Sequence, residues 1–223
     1  MHALLINPNT SEAVTQRLLA QLQPWCEGVA LMGVTAPFGE PYIASEAAYT
    51  VAGHAVLEAF DHHVDAHGLP VAVLVGCFGD PSVWALRVKH PKLPVVGLAE
   101  AALREAHAFG PFAVVTGGHA WGPMIERLAA TWRLLGPQAL LKVHTVEATG
   151  GQMLADPQAA MATLAQACAS VVLACPQAKA LVLGGAALGG MAADLAPQLG
   201  LPLIDNVQAA GRWLARSTET TTA

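Results

Sequence analysis

The chain has 223 residues, of which 54% are hydrophobic and only 12% are charged, and its formal net charge is −5. A chain of this length forms one large or two small domains with a sizeable core, and so apolar a composition predicts a homo-oligomer. The negative charge and the lack of basic runs argue against a nucleic-acid partner. No apolar run approaches the roughly 20 residues that span a membrane, and the first residues lack the regions of a signal peptide, so we expect no membrane association.

Short apolar strands alternate with helices along the whole chain, which is typical of a parallel α/β architecture. The predicted strands cover residues 2–6, 29–34, 71–76, 94–97, 112–116, 139–146, 180–183 and 201–204. The predicted helices cover residues 11–22, 45–60, a segment from about 82, 98–106, 121–134, 157–173, a segment from about 190, and a last helix through 214. The polar residues 217–223 are predicted to form a frayed tail.

The chain also repeats itself at an offset of 108 or 109 positions. The matching segments are 4–10 with 113–119, 73–77 with 181–185, and 93–102 with 201–210. This repeat predicts two pseudo-symmetric Rossmann-like (flavodoxin-like) lobes with parallel sheets and a cleft between them. The first lobe is expected to span 1–97, with 205–216 packing back on it, and the second to span 98–204.

The most informative stretch is the strand that ends at Gly76-Cys77-Phe78-Gly79, followed by Asp80-Pro81-Ser82. It delivers a thiol to the carboxyl end of a strand, where open α/β sheets bind ligands. Asp80 is predicted to cap the next helix, and the N-terminus of that helix is predicted to lower the pKa of Cys77. The alternative is a buried core cysteine.

The other three cysteines, Cys26, Cys168 and Cys175, are predicted to be core thiols. The four cysteines show no CxxC spacing, which favours reduced thiols over disulfides or a zinc site. We therefore expect a cytoplasmic protein.

Several motifs together resemble the aspartate/glutamate/hydantoin racemase family. They are Asn7-Pro-Asn-Thr10, Gly76-Cys-Phe-Gly-Asp-Pro81, Leu93-Pro-Val-Val-Gly97, Val115-Thr116 and Leu203-Ile-Asp205. The Gly-Cys-Phe-Gly-Asp-Pro form is most similar to the hydantoin and allantoin racemase branch. The resemblance implies catalysis without cofactor or metal, in which two cysteines, one from each lobe, remove and return a proton on opposite faces of the acidic carbon. Cys77 matches the first of them.

The position of the second cysteine is occupied by Gly185. Three alternatives follow. His119, just after a Gly-Gly turn, acts as the second acid/base, since an imidazole titrates near neutrality; its turn position equally suits a helix cap or a surface residue. Alternatively, protonation occurs on one face only, as the resemblance to the arylmalonate decarboxylase branch implies, although there the cysteine lies in the opposite lobe. Finally, the chain binds a small acid without catalysis.

Candidate substrate contacts come from the loops at the strand ends. Backbone N–H groups of Gly79, Gly117 and Gly185 are expected to hold an enolate oxygen. Asn7 and Thr116, at matching strand ends, are expected to donate to a carboxylate or a ring carbonyl. Taken alone, Asn7 also suits a helix cap or an Asx turn, and Thr116 an ordinary strand position.

Four further residues are candidates for the substrate site, namely Phe78, Gly184, Ala186 and Tyr42. Tyr42 lies in a long loop of the kind that forms lids, and packing of that lid is its alternative role. The expected substrate is a small carboxylate or a cyclic amide. His63 and His67 have a metal-ligand spacing, but they precede Gly68 and suit a solvated helix end, so no metal site is predicted.

Overall fold

The computed structural model describes residues 1–222, with side chains as far as Glu219. Its strands are β1 His2–Asn7, β2 Ala30–Thr35, β3 Val73–Val75, β4 Val95–Gly97, β5 Phe112–Gly117, β6 Leu140–Val146, β7 Ala180–Gly184 and β8 Leu203–Asp205. Its helices are α1 Glu12–Leu22, α2 Glu46–His67, α3 Val83–Lys89, α4 Leu98–His107, α5 Trp121–Thr131, α6 Gly150–Ala155, α7 Pro157–Ala174, α8 Ala192–Leu195 and α9 Asn206–Thr222. Short 3₁₀ turns cover Gln23–Trp25, Ala186–Leu188 and Ala196–Gln198.

The strands form two four-stranded sheets in which every pairing is parallel. The strand orders are β2-β1-β3-β4 and β6-β5-β7-β8, so the second half of the chain repeats the order of the first. All residues of β3 and β7 are buried, as expected for strands that are covered by helices on both faces. The predicted architecture of two pseudo-symmetric parallel lobes is confirmed.

Helices α4 and α9 pack against each other between the lobes. Helix α4 also lies on β7, and α9 also contacts α1. Arg212 of α9 donates from Nη2 to Glu105 Oε1 of α4 at 2.7 Å, and buried apolar residues form one cluster from Leu4 in β1 to Val182 in β7. The exact boundary between the lobes near residue 97 stays a prediction.

The C-terminal segment differs from the expected frayed tail. Helix α9 continues through Thr222, and only Ala223 lies outside the described residues. Thr218 is buried, and its hydroxyl donates to the carbonyls of Leu214 at 3.1 Å and Ala215 at 3.0 Å. Because hydroxyl side chains can bond back to the preceding turn, a run of serine and threonine is compatible with a helix there.

Helix α7 is the one described helix whose length and apolar composition would suffice to cross a membrane. Its buried face consists of Ala160, Leu164, Ala167, Cys168 and Val171. That face packs on β5 and β6, so α7 has the position of a helix that covers the second sheet.

The start of α7 provides a stability prediction. Asp156 is its N-cap, and the carboxylate accepts the N–H of Ala159 at 3.0 Å. We expect Asp156→Ala to lower the free energy of unfolding by about 1 kcal/mol, because an N–H of the first turn loses its partner. Urea denaturation measures the change. The exposed carboxylate of Asp65, near the end of α2, is the control, and an equal loss in Asp65→Ala would contradict the capping role.

Candidate active site

A cavity of about 150 Å³ lies between the lobes, where loops that follow strands of both sheets converge. The loop after β3 contributes Cys77, the last residue of β7 is Gly184, and the turn after β7 contributes Gly185. The lining residues are Asn9, Ser11, Val14, Pro41, Tyr42, Ile43, Gly76, Cys77, Phe78, Thr116, Gly117, Trp121, Gly150, Gly151, Leu154, Gly184, Gly185, Ala186, Ala187 and Leu188. The cavity therefore lies at the carboxyl ends of the strands, as parallel α/β sheets predict.

The Cys77 thiol lines this cavity with 8% of its residue surface exposed. Burial, and next the negative charge of Asp80, raise its pKa well above the ordinary value, and the N–H that Gly79 donates to the sulfur offsets only part of this rise. The predicted lowering of the pKa is therefore wrong. Its physical basis is missing because α3 begins only at Val83, beyond the loop that encloses the thiol.

The prediction that Asp80 caps the following helix is also wrong. Its carboxylate accepts the N–H groups of Ala99 at 2.9 Å and Glu100 at 2.7 Å, in the first turn of α4. The N-cap of α3 is Ser82, whose hydroxyl makes no capping hydrogen bond and donates instead to the carbonyl of Gly53 at 2.6 Å. Asp80 is 4% exposed, and burial raises its pKa to about 7 although the two N–H groups act in the opposite direction.

Aromatic side chains pack across the cleft between the two lobes next to Cys77. The ring of Phe78 lies directly over Gly184, where any Cβ would overlap it. Trp121 in turn packs over Gly79, with its Cζ3 atom 2.5 Å from where a Cβ would be. Tyr49 of α2 donates its hydroxyl to the carbonyl of Gly79 at 2.9 Å. The two residues that follow the thiol, Phe78 and Gly79, are thus fixed by packing across the cleft.

Gly185, at the position matching Cys77, has a different backbone conformation. Its φ is +131°, in the region that favours glycine, whereas Cys77 keeps a negative φ. A Cβ at Gly185 would lie 3.4 Å from Leu188 Cγ and 4.0 Å from Thr116 Oγ1, so space for a side chain exists. The backbone, rather than crowding, is what restricts this position to glycine.

Most predicted site residues converge on the cavity. Besides Cys77 and Gly185, its lining includes six of them, which are Tyr42, Phe78, Thr116, Gly117, Gly184 and Ala186. Gly79 does not line the cavity but donates its N–H to the Cys77 sulfur. Their roles toward a substrate stay predictions.

Asn7 is not brought to the cavity. It is fully buried, and its Nδ2 donates to Asn9 Oδ1, the Ser11 carbonyl and Thr15 Oγ1, each at 3.0 Å. The N–H of Asn9 bonds back to Asn7 Oδ1 at 3.3 Å. These contacts match the Asx-turn role, which was the alternative interpretation of Asn7. The amide of Asn7 therefore stabilises the loop that carries Asn9 and Ser11.

His119 also lies outside the cavity. Its side chain is 67% exposed, its Nδ1 is 3.1 Å from Thr145 Oγ1, and its Nε2 is 4.0 Å from Glu147 Oε1. The hypothesis of His119 as a second acid/base therefore has no structural support, and the surface alternative describes its position.

Several lining residues were missed by the sequence analysis. Asn9 and Ser11 follow β1, and Gly150 and Gly151 begin α6, a helix that was not predicted. The available signal was the capping box of Thr149 and Gln152, in which each side chain bonds to the backbone of the other. Trp121 has the low exposure of a core residue, 7%, and still borders the cavity.

No aspartate, glutamate, lysine, arginine or histidine is among the described residues that line the cavity. Its polar side chains are those of Asn9, Ser11, Tyr42, Cys77 and Thr116. Across the described part of the chain, no group of three or more His, Cys, Asp or Glu is placed to hold a metal ion.

His63 lies away from the cavity and is buried. Its Nε2 atom is 2.8 Å from the Nε2 atom of His2, so the expectation of a solvated helix end is wrong for His63.

All four cysteines are free and buried. Cys26, Cys168 and Cys175 lie outside the cavity lining, as predicted for core thiols.

Comparison with known proteins agrees with this arrangement. The Asp/Glu/Hydantoin racemase family model matches residues 4–213. A hydantoin racemase of Paenarthrobacter aurescens is 30% identical over 219 residues, which are 95% of this chain and 89% of the relative. An allantoin racemase structure from Pseudomonas fluorescens has a TM-score of 0.87 and 26% identity, covering 100% of this chain and 92% of that one. An allantoin racemase structure from Klebsiella pneumoniae has a TM-score of 0.86 and 25% identity, covering 99% of this chain and 89% of that one. The chain therefore belongs to the Asp/Glu/hydantoin racemase family, within its hydantoin and allantoin racemase branch.

Proposed function

We propose that this protein removes and returns a proton at a carbonyl-activated carbon of a small, neutral cyclic amide of the hydantoin class, with Cys77 as the acid/base. Family membership supplies the coarser statement, a racemase or isomerase type of enzyme that acts on small molecules. The finer one is supported chiefly by the composition of the cavity. Its described lining combines one thiol with hydroxyl, amide and backbone groups and has no charged side chain.

The lack of charge favours a cyclic amide over an amino acid. A carboxylate that enters a cavity without a cation loses its hydration and gains no paired charge. Ring carbonyl and N–H groups need only neutral partners, and Ser11, Thr116 and the amide of Asn9 are such partners. The ring carbonyl beside the substituted carbon also makes its C–H bond acidic.

In the proposed step the thiol proton of Cys77 has first left to water, and the resulting thiolate takes the substrate proton. The C–H bond breaks, an S–H bond forms, and the electron pair of the C–H bond becomes that of the enolate. The reverse step breaks the S–H bond and restores the C–H bond. Donors aimed at the enolate oxygen lower the barrier because the charge develops there. Thr116 is the candidate side-chain donor, and the Gly-rich turn after β7 offers backbone N–H groups beside it.

Racemisation also requires a proton on the second face. Apart from Cys77, Tyr42 is the one side chain with a titratable proton among the described lining residues. Its ring lies against Gly150, and its hydroxyl lies beside Gly118 in the second lobe. We therefore assign Tyr42 as the candidate proton donor on the face opposite Cys77.

Proton exchange in deuterated water tests the proposed function. Optically pure alkyl-substituted hydantoins are incubated with wild type and with Tyr42→Phe, and NMR and optical rotation follow exchange and racemisation beside an enzyme-free sample. We expect wild type to catalyse both, and Tyr42→Phe to keep exchange while racemisation falls about 10²-fold. Aspartate, a charged control, should not exchange. Absence of exchange on every hydantoin by folded protein would contradict the proposal.

A second candidate function is decarboxylation with protonation on one face. It is favoured by the raised pKa of Cys77, because a neutral thiol is a proton donor. In this step a C–C bond breaks, carbon dioxide leaves, and the electron pair left on carbon takes the proton of the thiol. A disubstituted malonate that yields product of one handedness would support it, although the uncharged cavity gives such a dianion no cation.

A further inference from the structure

We propose that Asp80 is a positioning residue for Cys77. Its carboxylate ties the Cys77 loop, residues 77–82, to the first turn of α4, and it fixes a second acidic group next to the thiol. The contribution of Asp80 to catalysis rests on the proposed function, in which Cys77 reacts with the substrate.

The tie is built from three hydrogen bonds within a buried region. The two carboxylate oxygens accept from the N–H groups of Ala99 and Glu100, at 2.9 and 2.7 Å, and the N–H of Asp80 bonds to the Cys77 carbonyl at 3.3 Å. Gly97 lies directly under the carboxylate, and a Cβ there would overlap Asp80 Oδ1. The chain from Cys77 to Asp80 is therefore anchored to α4 at a site shaped for this side chain.

The second lobe makes the same tie from the opposite end. Asp205, at the end of β8, accepts from Val207 at 2.9 Å and Gln208 at 3.1 Å in the first turn of α9, and its other oxygen accepts from Gly190 at 2.6 Å in the loop after β7. By the repeat of the chain, position 205 corresponds to Gly97. In each lobe a carboxylate joins the loop after the third strand of the sheet to the first turn of a helix. Only in the first lobe does the carboxylate belong to that loop, which is the loop that carries the thiol.

The charge of Asp80 acts directly on Cys77, because a nearby like charge disfavours the thiolate. The other groups that face Asp80 come from four helices, and they are Tyr49 of α2, Arg87 of α3, Glu100 of α4 and Arg127 of α5. Three of them form ion pairs, since Arg87 Nη2 lies 2.8 Å from Glu100 Oε2 and Arg127 binds Glu46. No histidine is among these groups.

Alkylation of Cys77 by iodoacetamide, followed by mass spectrometry of the peptide that contains it, measures the thiolate without any substrate. Above about pH 7, where Asp80 is ionised, we expect Asp80→Asn to be alkylated about tenfold faster than wild type at a given pH, and below pH 7 the two rates should converge. Asp205→Asn, which removes the matching carboxylate from the other lobe, should leave the profile unchanged. A folded Asp80→Asn protein with the wild-type profile would overturn the proposal.

Wild type offers a second test that needs no variant. Burial raises the pKa of Asp80 to about 7, so the thiol should lose its proton more easily below that pH, where Asp80 is neutral, than above it. The logarithm of the alkylation rate should then show a shoulder near that pH, with acid-side rates about tenfold above the line from the alkaline side. A straight line of unit slope would also overturn the proposal. Neither alkylation experiment requires catalytic turnover. A failure of the proposed function, measured by proton exchange, can therefore be distinguished from a failure of this proposal.

Discussion

The Cys77→Ser variant should lose exchange at the acidic carbon by about 10²- to 10⁴-fold, the range that a positioned acid/base contributes. Cys77 supplies the one thiol among the described residues that line the cavity, and a serine hydroxyl holds its proton far more tightly than a thiol does. Because serine has the same shape as cysteine and is slightly smaller, substrate binding should change less than proton transfer. Initial rates of deuterium incorporation at several hydantoin concentrations separate the two, with kcat falling and KM nearly constant.

Cys168→Ser is the matched control for this loss. Cys168 is fully buried in α7, and burial alone raises its pKa to about 11. It lies outside the cavity lining, so its replacement should leave the exchange rate near that of wild type while lowering stability. If Cys77→Ser keeps more than a tenth of the wild-type rate, or if Cys168→Ser loses as much, Cys77 is not the acid/base.

The fold was largely predictable because its signals are local and occur twice. Apolar runs mark the strands, several of which end at a glycine, and the repeat from Cys77 to Gly185 fixes the equivalence of the two sheets. Since parallel strands bring their carboxyl ends to one edge, Thr116, Gly117 and Gly184 were found without knowledge of any contact. Helix α6 was missed because glycines at its start are poor helix formers.

The parts that could not be predicted depend on partners distant in the sequence. Asp80 was assigned to the adjacent helix, yet its N–H partners are about 20 positions further on. The pKa of Cys77 depends on how deeply the folded chain buries the thiol, which no local pattern reveals. The side chain of Asn7 could point either to the cavity or into its own turn, and only the contact with Thr15 decides between them.

A cysteine introduced at position 185 should both destabilise the protein and add a proton donor on the second face. At a φ of +131° a side chain strains the backbone by about 1 to 3 kcal/mol, so the free energy of unfolding should fall by that amount in urea denaturation. The new thiol has room beside Leu188 and Thr116. We expect racemisation of a hydantoin by Gly185→Cys to exceed that of wild type by about 10²-fold.

Gly185→Ser separates the two effects, because serine imposes the same backbone strain and nearly the same volume without an acidic thiol. Both variants should lose equal stability, and only Gly185→Cys should gain racemisation. Equal racemisation by the two would show that the gain comes from a loosened loop rather than from a second thiol. If Gly185→Cys is as stable as wild type, the turn after β7 relaxes to a negative φ, and the glycine there reflects chemistry and not backbone geometry.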